Sequence, residues 1–317
     1  MDGMDGTSGT ASPILLPGEP MIPVSEDIIP TGEDWGYQLK WDGVRLLARI
    51  RPGSAELFSR RLLPKNSAYP ELAALLSTIE EPCLLDGEAF VFDQGRQRPV
   101  FRRVLERERL RNPAAIAKAG ATEPVRYAVF DVLYSRGRDW RERPYRERHE
   151  ELLRLLPVKQ ERLFVTDLFT DGAGLWSWVE AQGWEGIVSK KLDSVYKEGK
   201  KHRDWLKKKT SIQEDVDIVG FTYNEGRLAS LIMAFEGSYF GRVSLGLDEA
   251  QKRRLSALPV RVPPASGLPG PFPVLPPDLK RISLAWLLQA FRCRVTGLEV
   301  TDAGLLRHSK LVTLPIP

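Results

Sequence analysis

A lysine followed at once by an aspartate and a glycine is the first candidate for chemistry in this chain. Residues 40–45 read Lys-Trp-Asp-Gly-Val-Arg. In an extended segment Lys40 and Asp42 project to one side, and an Asp-Gly pair permits a turn that leaves the lysine at the rim of a pocket. A lysine amine is a nucleophile only when deprotonated, so covalent chemistry requires nearby cations or desolvation to lower its pKa. By itself the motif is more typical of a hairpin with a surface lysine.

Two further segments place a carboxylate next to a glycine and an apolar strand. Residues 86–88 read Asp-Gly-Glu after two leucines, and Glu185 opens the apolar run 185–190. Carboxylates that converge on one pocket can hold Mg²⁺, which prefers oxygen ligands and often bridges to substrate phosphates. Taken singly, each segment is also typical of an ordinary turn.

The fourth segment, residues 205–209, reads Trp-Leu-Lys-Lys-Lys. If it is a strand, Lys207 and Lys209 share one face and Lys208 lies on the other. Two cations on one face suit a triphosphate, and we expect them to depress the pKa of a neighbouring lysine. The alternative is a solvated run of charge.

The composition excludes several classes of protein. The chain has 317 residues, 42% of them hydrophobic and 28% charged, which is typical of a globular protein with two domains. No apolar run is long enough to span a membrane, and the N-terminus does not resemble a signal peptide. Two distant cysteines and three histidines predict neither a disulfide framework nor a zinc site.

The charge is unevenly distributed. Residues 1–39 contain seven acids and no Lys or Arg, so the rest of the chain has 46 bases against 35 acids. A basic body of this kind suits a polyanion such as nucleic acid, although it also promotes solubility in general.

The elements that must position the four segments follow from the hydrophobic pattern. Residues 1–19 are acidic and rich in small residues, which predicts a flexible tail. Strand and helix patterns then alternate as far as about residue 210, and short strands with turns dominate residues 213–317. We therefore predict a mixed domain over 20–210 and a small barrel or sandwich over 213–317.

The order of the four segments resembles that of the ATP-dependent DNA ligases of the covalent nucleotidyltransferase superfamily. Within that family the chain is most similar to the bacterial LigD-type ligase domain, which acts with Ku in end joining. The similarity extends over nearly all of residues 20–314. Further segments that carry it are Phe-Ser-Arg at 58–60, Phe-Asp-Val-Leu-Tyr at 130–134, Gly-Arg-Asp at 137–139, and the residues Tyr196, Gly199 and Arg203.

The resemblance implies a role for each matching residue. Lys40 would be the catalytic residue, attacking the α-phosphate of ATP to form a lysyl-AMP. Phe130 would lie under the adenine. The remaining nucleotide-binding residues would be Arg45, Arg60, Glu88, Glu185, Lys207 and Lys209, with Glu88 and Glu185 also holding the metal. Weaker DNA-binding candidates are Arg45, Arg60, Arg203 and Arg242.

The chain departs from the family pattern at two places. Gln38 stands where this branch usually has an acid, but a neutral amide can still accept a hydrogen bond from an adenine amino group. The basic motif that usually ends the second domain is replaced by an apolar, proline-rich end, and Arg307 and Lys310 are the only bases after position 294. They either orient pyrophosphate or belong to a merely structural terminal strand.

The resemblance thus implies an α+β nucleotidyltransferase (ATP-grasp-like ligase) domain followed by an all-β OB-fold domain. The implied reaction joins a 3′-OH to a 5′-phosphate in duplex DNA through a lysyl-AMP and a DNA-adenylate, in repair or end joining. The implied cofactors are ATP and Mg²⁺ or Mn²⁺. The expected partners are nicked or broken duplex DNA and Ku, with no membrane, and the protein would be a monomer in the bacterial cytoplasm at the nucleoid.

Two alternatives remain open at this point. An RNA ligase or a capping-type nucleotidyltransferase shares the lysine chemistry, although residues 130–148 favour the bacterial DNA ligases. A DNA-binding scaffold without activity is the other alternative. It is disfavoured because Lys40, Glu88, Glu185, Lys207 and Lys209 are all present.

Overall fold

The computed structural model describes residues 13–199, 201–261, 270–297, 299–301 and 303–315. The chain divides into two compact units between Lys209 and Thr210, and each unit is described separately below. None of the helices in these ranges is long and apolar enough to cross a membrane. Residues 1–12 of the predicted tail lie outside the described residues.

Unit 1 consists of twelve strands and five helices within the described ranges. Its strands are β1 (Ile22–Ser25), β2 (Trp35–Leu39), β3 (Val44–Arg51), β4 (Ser54–Ser59), β5 (Cys83–Phe90), β6 (Phe92–Asp93), β7 (Arg98–Pro99), β8 (Arg126–Ser135), β9 (Arg138–Asp139), β10 (Leu163–Val165), β11 (Gly186–Lys191) and β12 (Lys201–Lys209). Its helices are α1 (Pro70–Leu76), α2 (Phe101–Arg109), α3 (Pro113–Thr122), α4 (Tyr145–Leu155) and α5 (Gly172–Gln182).

Two larger sheets form the body of unit 1. One has the strand order β1-β12-β11-β2, and the other has the order β10-β8-β5-β3-β4 with β9 paired to β8. Successive side chains point to opposite faces of a strand, and the central strands β3, β5 and β8 of the second sheet bury consecutive residues and hence both faces. On β3, Leu46 packs with helices α1, α2 and α4, whereas Leu47 packs with Trp205 of the first sheet.

A glycine and a β-bulge shape the middle of the second sheet. A Cβ on Gly87 of β5 would lie 2.7 Å from the Ala128 carbonyl oxygen and from the Tyr127 ring, so only glycine fits there. The glycine therefore serves strand packing rather than a turn, because β5 runs through it unbroken. Asp86 pairs with Asp131 and Gly87 with Val129, which leaves Phe130 as the extra residue of a bulge in β8.

The segment before β1 packs against unit 1. Ile14 is buried with Met21 and Trp205, and the Gly18 amide donates a hydrogen bond to Glu198 at 2.9 Å. The described part of the predicted flexible tail, residues 13–19, is thus held in place by an apolar anchor that its composition did not reveal.

Unit 2 is β-rich and belongs to the OB type, as predicted. Its strands are β13 (Ile212–Asn224), β14 (Arg227–Phe235), β15 (Ser238–Val243), β16 (Val260–Arg261), β17 (Ser283–Gly297), β18 (Glu299–Val300), β19 (Leu306–Arg307) and β20 (Lys310–Thr313). One sheet has the order β15-β14-β13-β17-β16 with β20 on β17, and β18 pairs with β19. One helix, α6 (Glu249–Ser256), is added to this all-β plan, and it begins at a capping box formed by Asp248 and Gln251.

A fully buried ion pair fastens α4 to the second sheet of unit 1. Arg148 of α4 donates to both carboxylate oxygens of Asp131, at 2.7 and 2.9 Å, and to the carbonyl oxygens of Arg143 and Ser194. Both side chains of the pair have no exposed surface. Removing one partner would leave the other charge buried without compensation, which typically costs about 3–5 kcal/mol.

The variant Arg148→Leu should therefore lose about 3–5 kcal/mol of unfolding free energy, measured by urea denaturation. Arg146→Leu is the matched control, since Arg146 lies on the same helix and pairs with Asp193 with both side chains about half exposed. The control should lose at most about 1 kcal/mol. Equal losses in the two variants would contradict the importance of the buried pair.

Candidate active site

The register of three strands brings together two lysines and a glutamate that lie far apart in the sequence. The Lys40 amide donates to the Gly186 carbonyl at 2.9 Å, and Gly186 pairs with Lys209 on β12. Glu185 therefore lies between the two lysines. Its Oε2 is 2.6 Å from Lys40 Nζ and its Oε1 is 3.0 Å from Lys209 Nζ. A single carboxylate thus binds two ammonium groups.

The loop that carries Lys40 is fastened on both sides of the lysine. Trp41 stacks on Phe90 with ring centroids 4.8 Å apart and donates to Thr166 Oγ1 at 3.1 Å. Asp42 accepts a hydrogen bond from the amide of Phe101, the first residue of α2, whose own N-cap residue provides no side-chain bond. Gly43 has no room for a side chain, because a Cβ would lie 2.3 Å from the Ala89 carbonyl oxygen.

The protein's own groups keep Lys40 protonated. Burial by itself lowers the pKa of Lys40, but the carboxylates of Glu185, Glu88 and Asp42 outweigh it and raise the pKa above its usual value. The expectation that neighbouring cations depress this pKa is therefore wrong. The nearby lysines are opposed by three acids, and the closest of these, Glu185, is in direct contact with Lys40.

Two of these carboxylates hold protons unusually strongly. Burial, with the charge of Glu185, raises the pKa of Glu88 to about 8 and that of Asp42 to about 7. The Glu88 side chain forms no hydrogen bond or ion pair with another described residue. Carboxylate oxygens suit a divalent cation, so Glu88 fits the predicted metal as it stands, whereas Glu185 would first have to give up its contacts with Lys40 and Lys209. The described residues contain no cluster of three or more metal-binding side chains.

The two predicted faces of β12 are present in the structure. Lys208 Nζ lies 4.3 Å from the centroid of the Trp176 ring on α5, whereas Lys209 contacts Glu185 on the opposite face. Lys207 is half-buried, and both burial and the charges of Lys40 and Lys209 lower its pKa. Lys207 and Lys209 therefore add positive charge beside Lys40.

Gln38 lies next to Lys40 with one unsatisfied polar atom. Its side chain is 1% exposed and its Nε2 donates to the Thr166 carbonyl at 3.1 Å. Its Oε1 has no hydrogen-bond partner among the described residues. A buried acceptor without a partner costs about 1–3 kcal/mol, so this atom is available to a ligand that carries an N–H group.

Lys190 is a residue that the sequence interpretation missed. It is 2% exposed, and its Nζ donates to the Phe130 carbonyl at 3.0 Å and to the Tyr145 hydroxyl at 3.2 Å. The same Nζ lies 4.7, 4.3 and 4.1 Å from the ring centroids of Phe130, Tyr145 and Trp205. Burial lowers the pKa of Lys190 to about 7. The sequence could have indicated its burial, because Lys190 lies two residues after the apolar Val188 on β11 and therefore on the same face of the strand.

Arg45 is engaged inside the protein rather than open to a ligand. Its guanidinium donates to both oxygens of Asp86, at 2.8 and 2.6 Å, and to the Met21 carbonyl at 2.6 Å. The Tyr196 hydroxyl also donates to Asp86 at 2.8 Å. The sequence did not reveal this network, because its members come from four separate segments. Arg60, in contrast, is exposed.

The remaining candidates are divided between the two units. Arg203 is exposed on β12 and its Nη2 bonds Glu26 at 2.7 Å. In unit 2, Arg242 lies on β15, Arg307 ends β19 and Lys310 begins β20.

Comparison with known proteins gives consistent results for sequence and structure. The family model described as the ATP dependent DNA ligase domain matches residues 20–209. The chain is 28% identical to the multifunctional non-homologous end joining protein LigD of Pseudomonas aeruginosa over 96% of this chain and 36% of that protein. It is 31% identical to the LigD of Mycobacterium tuberculosis H37Rv over 87% of this chain and 35% of that protein. It thus spans little more than a third of the length of these two relatives.

Solved structures agree with the sequence matches. The mycobacterial DNA ligase D complexed with ATP and MES is 28% identical, with a TM-score of 0.57 and coverage of 92% of this chain and 93% of that one. The ligase domain of M. tuberculosis LigD is also 28% identical, with a TM-score of 0.56 and 93% coverage of both chains.

Replacing Glu185 with Gln should make Lys40 more reactive, because the carboxylate that most raises the lysine pKa is removed. At pH 8–9 we expect several-fold faster modification of Lys40 by an amine-acylating reagent, quantified by peptide mass spectrometry. Glu108→Gln is the control, since Glu108 pairs with a different lysine, Lys65, at 2.8 Å. An unchanged or slower reaction at Lys40 would mean that Glu185 does not hold its proton.

Proposed function

The chain belongs to the ATP-dependent DNA ligase family, and from that premise we propose that it seals 3′-OH/5′-phosphate nicks or breaks in duplex DNA with Lys40 as the nucleophile. The observation that carries this proposal is the group formed by Lys40, Glu185 and Lys209. It places an amine, a carboxylate in contact with it and a second cation side by side in unit 1.

The first step joins the protein to the nucleotide. Lys40 Nζ gives up one proton to solvent before it attacks the α-phosphorus of ATP and a second as the P–N bond forms, and the P–O bond to pyrophosphate breaks. Lys207 and Lys209 stabilise the negative charge that moves onto the leaving pyrophosphate, as fixed cations do in phosphoryl transfer.

The next two steps use the stored AMP. A 5′-phosphate oxygen of DNA attacks the same phosphorus and releases Lys40, giving a DNA-adenylate. The 3′-OH then attacks the 5′-phosphate, the phosphodiester bond forms and AMP leaves. Lys40 recovers two protons from solvent and its contact with Glu185, which returns the site to its starting state.

Glu88 and Glu185 would hold the divalent cation, Mg²⁺ or Mn²⁺. When bound, such an ion supplies positive charge at the transferred phosphate. Support comes from the raised pKa of Glu88, since a carboxylate that retains its proton in the free protein is short of positive charge.

Gln38 and Phe130 would contact the nucleotide base. The unpartnered Oε1 of Gln38 can accept a hydrogen bond from the adenine amino group, which supports ATP over GTP. Phe130, turned out of the ladder by its bulge, would lie under the ring. Arg45 donates its hydrogen bonds to Asp86 and Met21, so it would hold the neighbouring strands in place rather than bind the phosphate.

The biological setting is part of the proposal. Both relatives named above are end-joining proteins, which supports a role in break repair with Ku as a partner and duplex DNA as substrate. We propose that the ligase acts as a monomer at the bacterial nucleoid, that residues 20–210 and 213–317 are its adenylation and OB-fold domains, and that exposed Arg60 and Arg203 contact DNA phosphates.

Labelling of the protein with α-labelled ATP tests the nucleophile. Wild type with Mg²⁺ should become labelled and should seal a nicked duplex, while Lys40→Ala should do neither and yet stay folded, because Glu185 keeps its contact with Lys209. Lys65→Ala is the matched control, because Lys65 is similarly exposed and also pairs with a glutamate. It should label normally.

The alternatives predict different outcomes of the same assay. A capping-type enzyme would label with GTP, an RNA ligase would seal only RNA ends, and an inactive scaffold would bind DNA without any labelling. Persistent labelling of Lys40→Ala would overturn the assignment of the nucleophile.

Loss of the Lys190 ammonium should weaken nucleotide binding. Lys190→Met removes the charge that holds the Phe130 carbonyl and ring while keeping most of the side-chain volume. Since such contacts contribute about 1–2 kcal/mol, we expect KM for ATP in lysine adenylation to rise roughly five- to thirtyfold.

Sealing of a nick that already carries AMP should change little in this variant, because it uses no free ATP. Lys191→Met is the control, as Lys191 is the exposed neighbour on the same strand. A fall in the rate of both steps with unchanged KM would instead mean that Lys190 serves the fold alone.

A further inference from the structure

Residues 13–21, the strap, lie against unit 1 before β1 and belong to no helix or strand. Its buried residues are Ile14, Pro17, Pro20 and Met21, and its exposed residues include Leu15, Gly18 and Glu19. Ile14 and Met21 join the apolar cluster of Trp205, against which Phe130 also packs. Because proline fixes its own φ, the prolines of the strap lower the entropic cost of holding it in one extended path.

The strap is bonded to the loop that joins β11 to β12. The Gly18 amide donates to Glu198 Oε2 at 2.9 Å, and the Gly199 amide donates to the Glu19 carbonyl at 2.9 Å. Gly199 has a φ of +61°, which favours glycine at this position. Since the strap donates one bond and the loop donates the other, each segment holds the other in place.

Met21 takes the strap into the interior, where both of its backbone groups form hydrogen bonds. Met21 is fully buried. Its amide donates to the Tyr196 hydroxyl at 3.2 Å, and its carbonyl accepts from Arg45 Nη1 at 2.6 Å. Tyr196 also donates to Asp86 at 2.8 Å, and Arg45 donates to Asp86 at 2.8 and 2.6 Å. The four residues therefore form a closed ring of hydrogen bonds.

The Met21 carbonyl restrains Arg45 in a way that Asp86 alone does not. Asp86 binds Nε and Nη2 of the guanidinium and already balances its charge. A two-point contact still allows the arginine to pivot about the carboxylate, whereas a third bond at Nη1 removes that freedom. The strap thus contributes position rather than charge.

The guanidinium that is held in this way lies beside the ring of Phe130. Its central carbon is 5.3 Å from the ring centroid, and Lys190 Nζ is 4.7 Å from the same centroid. Cations within about 6 Å of an aromatic centroid are attracted to the ring. Phe130 is the extra residue of the β8 bulge and has no partner on β5, so the orientation of its ring depends on these neighbours.

We propose that the strap positions the aromatic platform of the nucleotide site, with Met21 fixing Arg45 and Arg45 fixing the ring of Phe130. Ile14 supplies the apolar anchor that keeps the strap in place. The inference rests on the proposed function, in which Phe130 lies under the adenine of ATP. The strap acts through Arg45, so its residues are positioning residues rather than catalytic ones. A strap that only covered apolar surface would change stability and leave the affinity for ATP unchanged.

The first test compares Ile14→Ser with Leu15→Ser in the full chain. These are adjacent apolar residues of the strap, but Ile14 is 8% exposed and Leu15 is 59% exposed. Only Ile14→Ser should release the anchor. KM for ATP in lysine adenylation should then rise roughly two- to tenfold, while the rate at saturating ATP stays close to that of wild type. Leu15→Ser should keep the wild-type KM, and so should Ile14→Val, which keeps the anchor.

The second test removes one hydroxyl of the hydrogen-bonded ring. Tyr196→Phe loses the group that binds the Met21 amide and Asp86 but keeps the aromatic ring. Tyr69→Phe is the matched control, since Tyr69 is also buried in unit 1 and its hydroxyl donates to Glu108 at 3.1 Å. Tyr196→Phe should raise KM for ATP as Ile14→Ser does, and Tyr69→Phe should not.

Thermal unfolding shows whether each variant is folded. Should Ile14→Ser be unfolded, Tyr196→Phe and the milder Ile14→Ala decide. KM values equal to those of the two controls would overturn the proposal. A lower saturating rate at unchanged KM would overturn it as well, because such an effect does not act through nucleotide binding.

Hydrogen exchange without nucleotide keeps this proposal separate from the ligase proposal. Peptides that contain Arg45 and Phe130 should exchange their amides faster in Ile14→Ser than in Leu15→Ser. If wild type neither labels nor seals, the ligase proposal fails and this comparison still tests the strap. Faster exchange would then support its hold on Arg45 and Phe130, and equal exchange in the two variants would overturn it.

Discussion

The contact of Glu185 with both Lys40 and Lys209 is the constraint on which the rest of unit 1 depends. It exists only if β2, β11 and β12 pair in one register, because a slip of one residue would turn each side chain to the other face of the sheet. Lys40 is held in that register by the flanking turns, by the stacking of Trp41 on Phe90 and by the hydrogen bond of Asp42 to α2. The same contact controls the reactivity of Lys40, since it keeps the amine protonated until Glu185 binds another cation.

Charge buried between the two sheets distinguishes this core from an ordinary apolar one. Arg45 with Asp86 and Arg148 with Asp131 are bidentate pairs, and Lys190 lies among three aromatic rings. Such groups are expensive to desolvate and add little net stability. Their geometry is directional, however, whereas apolar contacts tolerate sliding. Lys190 of β11 therefore aligns the first sheet with the Phe130 carbonyl of β8, while the two ion pairs fix β3 to β5 and α4 to β8.

The sequence could predict what depends on local pattern. Alternation around Lys40 predicted the strands and turn, and the spacing in 205–209 predicted the opposite faces of Lys207 and Lys208. It could not predict the bulge that turns Phe130 out or the burial of Lys190, because both depend on pairing with distant strands. A lysine in a strand normally indicates solvent exposure. The bond between Arg45 and Asp86 could not be predicted for the same reason. The direction of the Lys40 pKa shift depends on distances between side chains in the folded protein, which sequence spacing does not give.

The site around Lys40 becomes less positive as the pH rises through the neutral range. Burial raises the pKa of Asp42 to about 7 and that of Glu88 to about 8, so both carboxyls lose their protons over that range. Lys40, Lys207 and Lys209 supply the positive charge of the same site. The site thus attracts a polyphosphate more strongly at low pH and a cation more strongly at high pH. A cation that binds Glu185 also releases Lys40 from the group that holds its proton. Nucleotide attraction and lysine activation therefore oppose each other within the protein alone, and both are met together only when positive charge arrives with the polyphosphate.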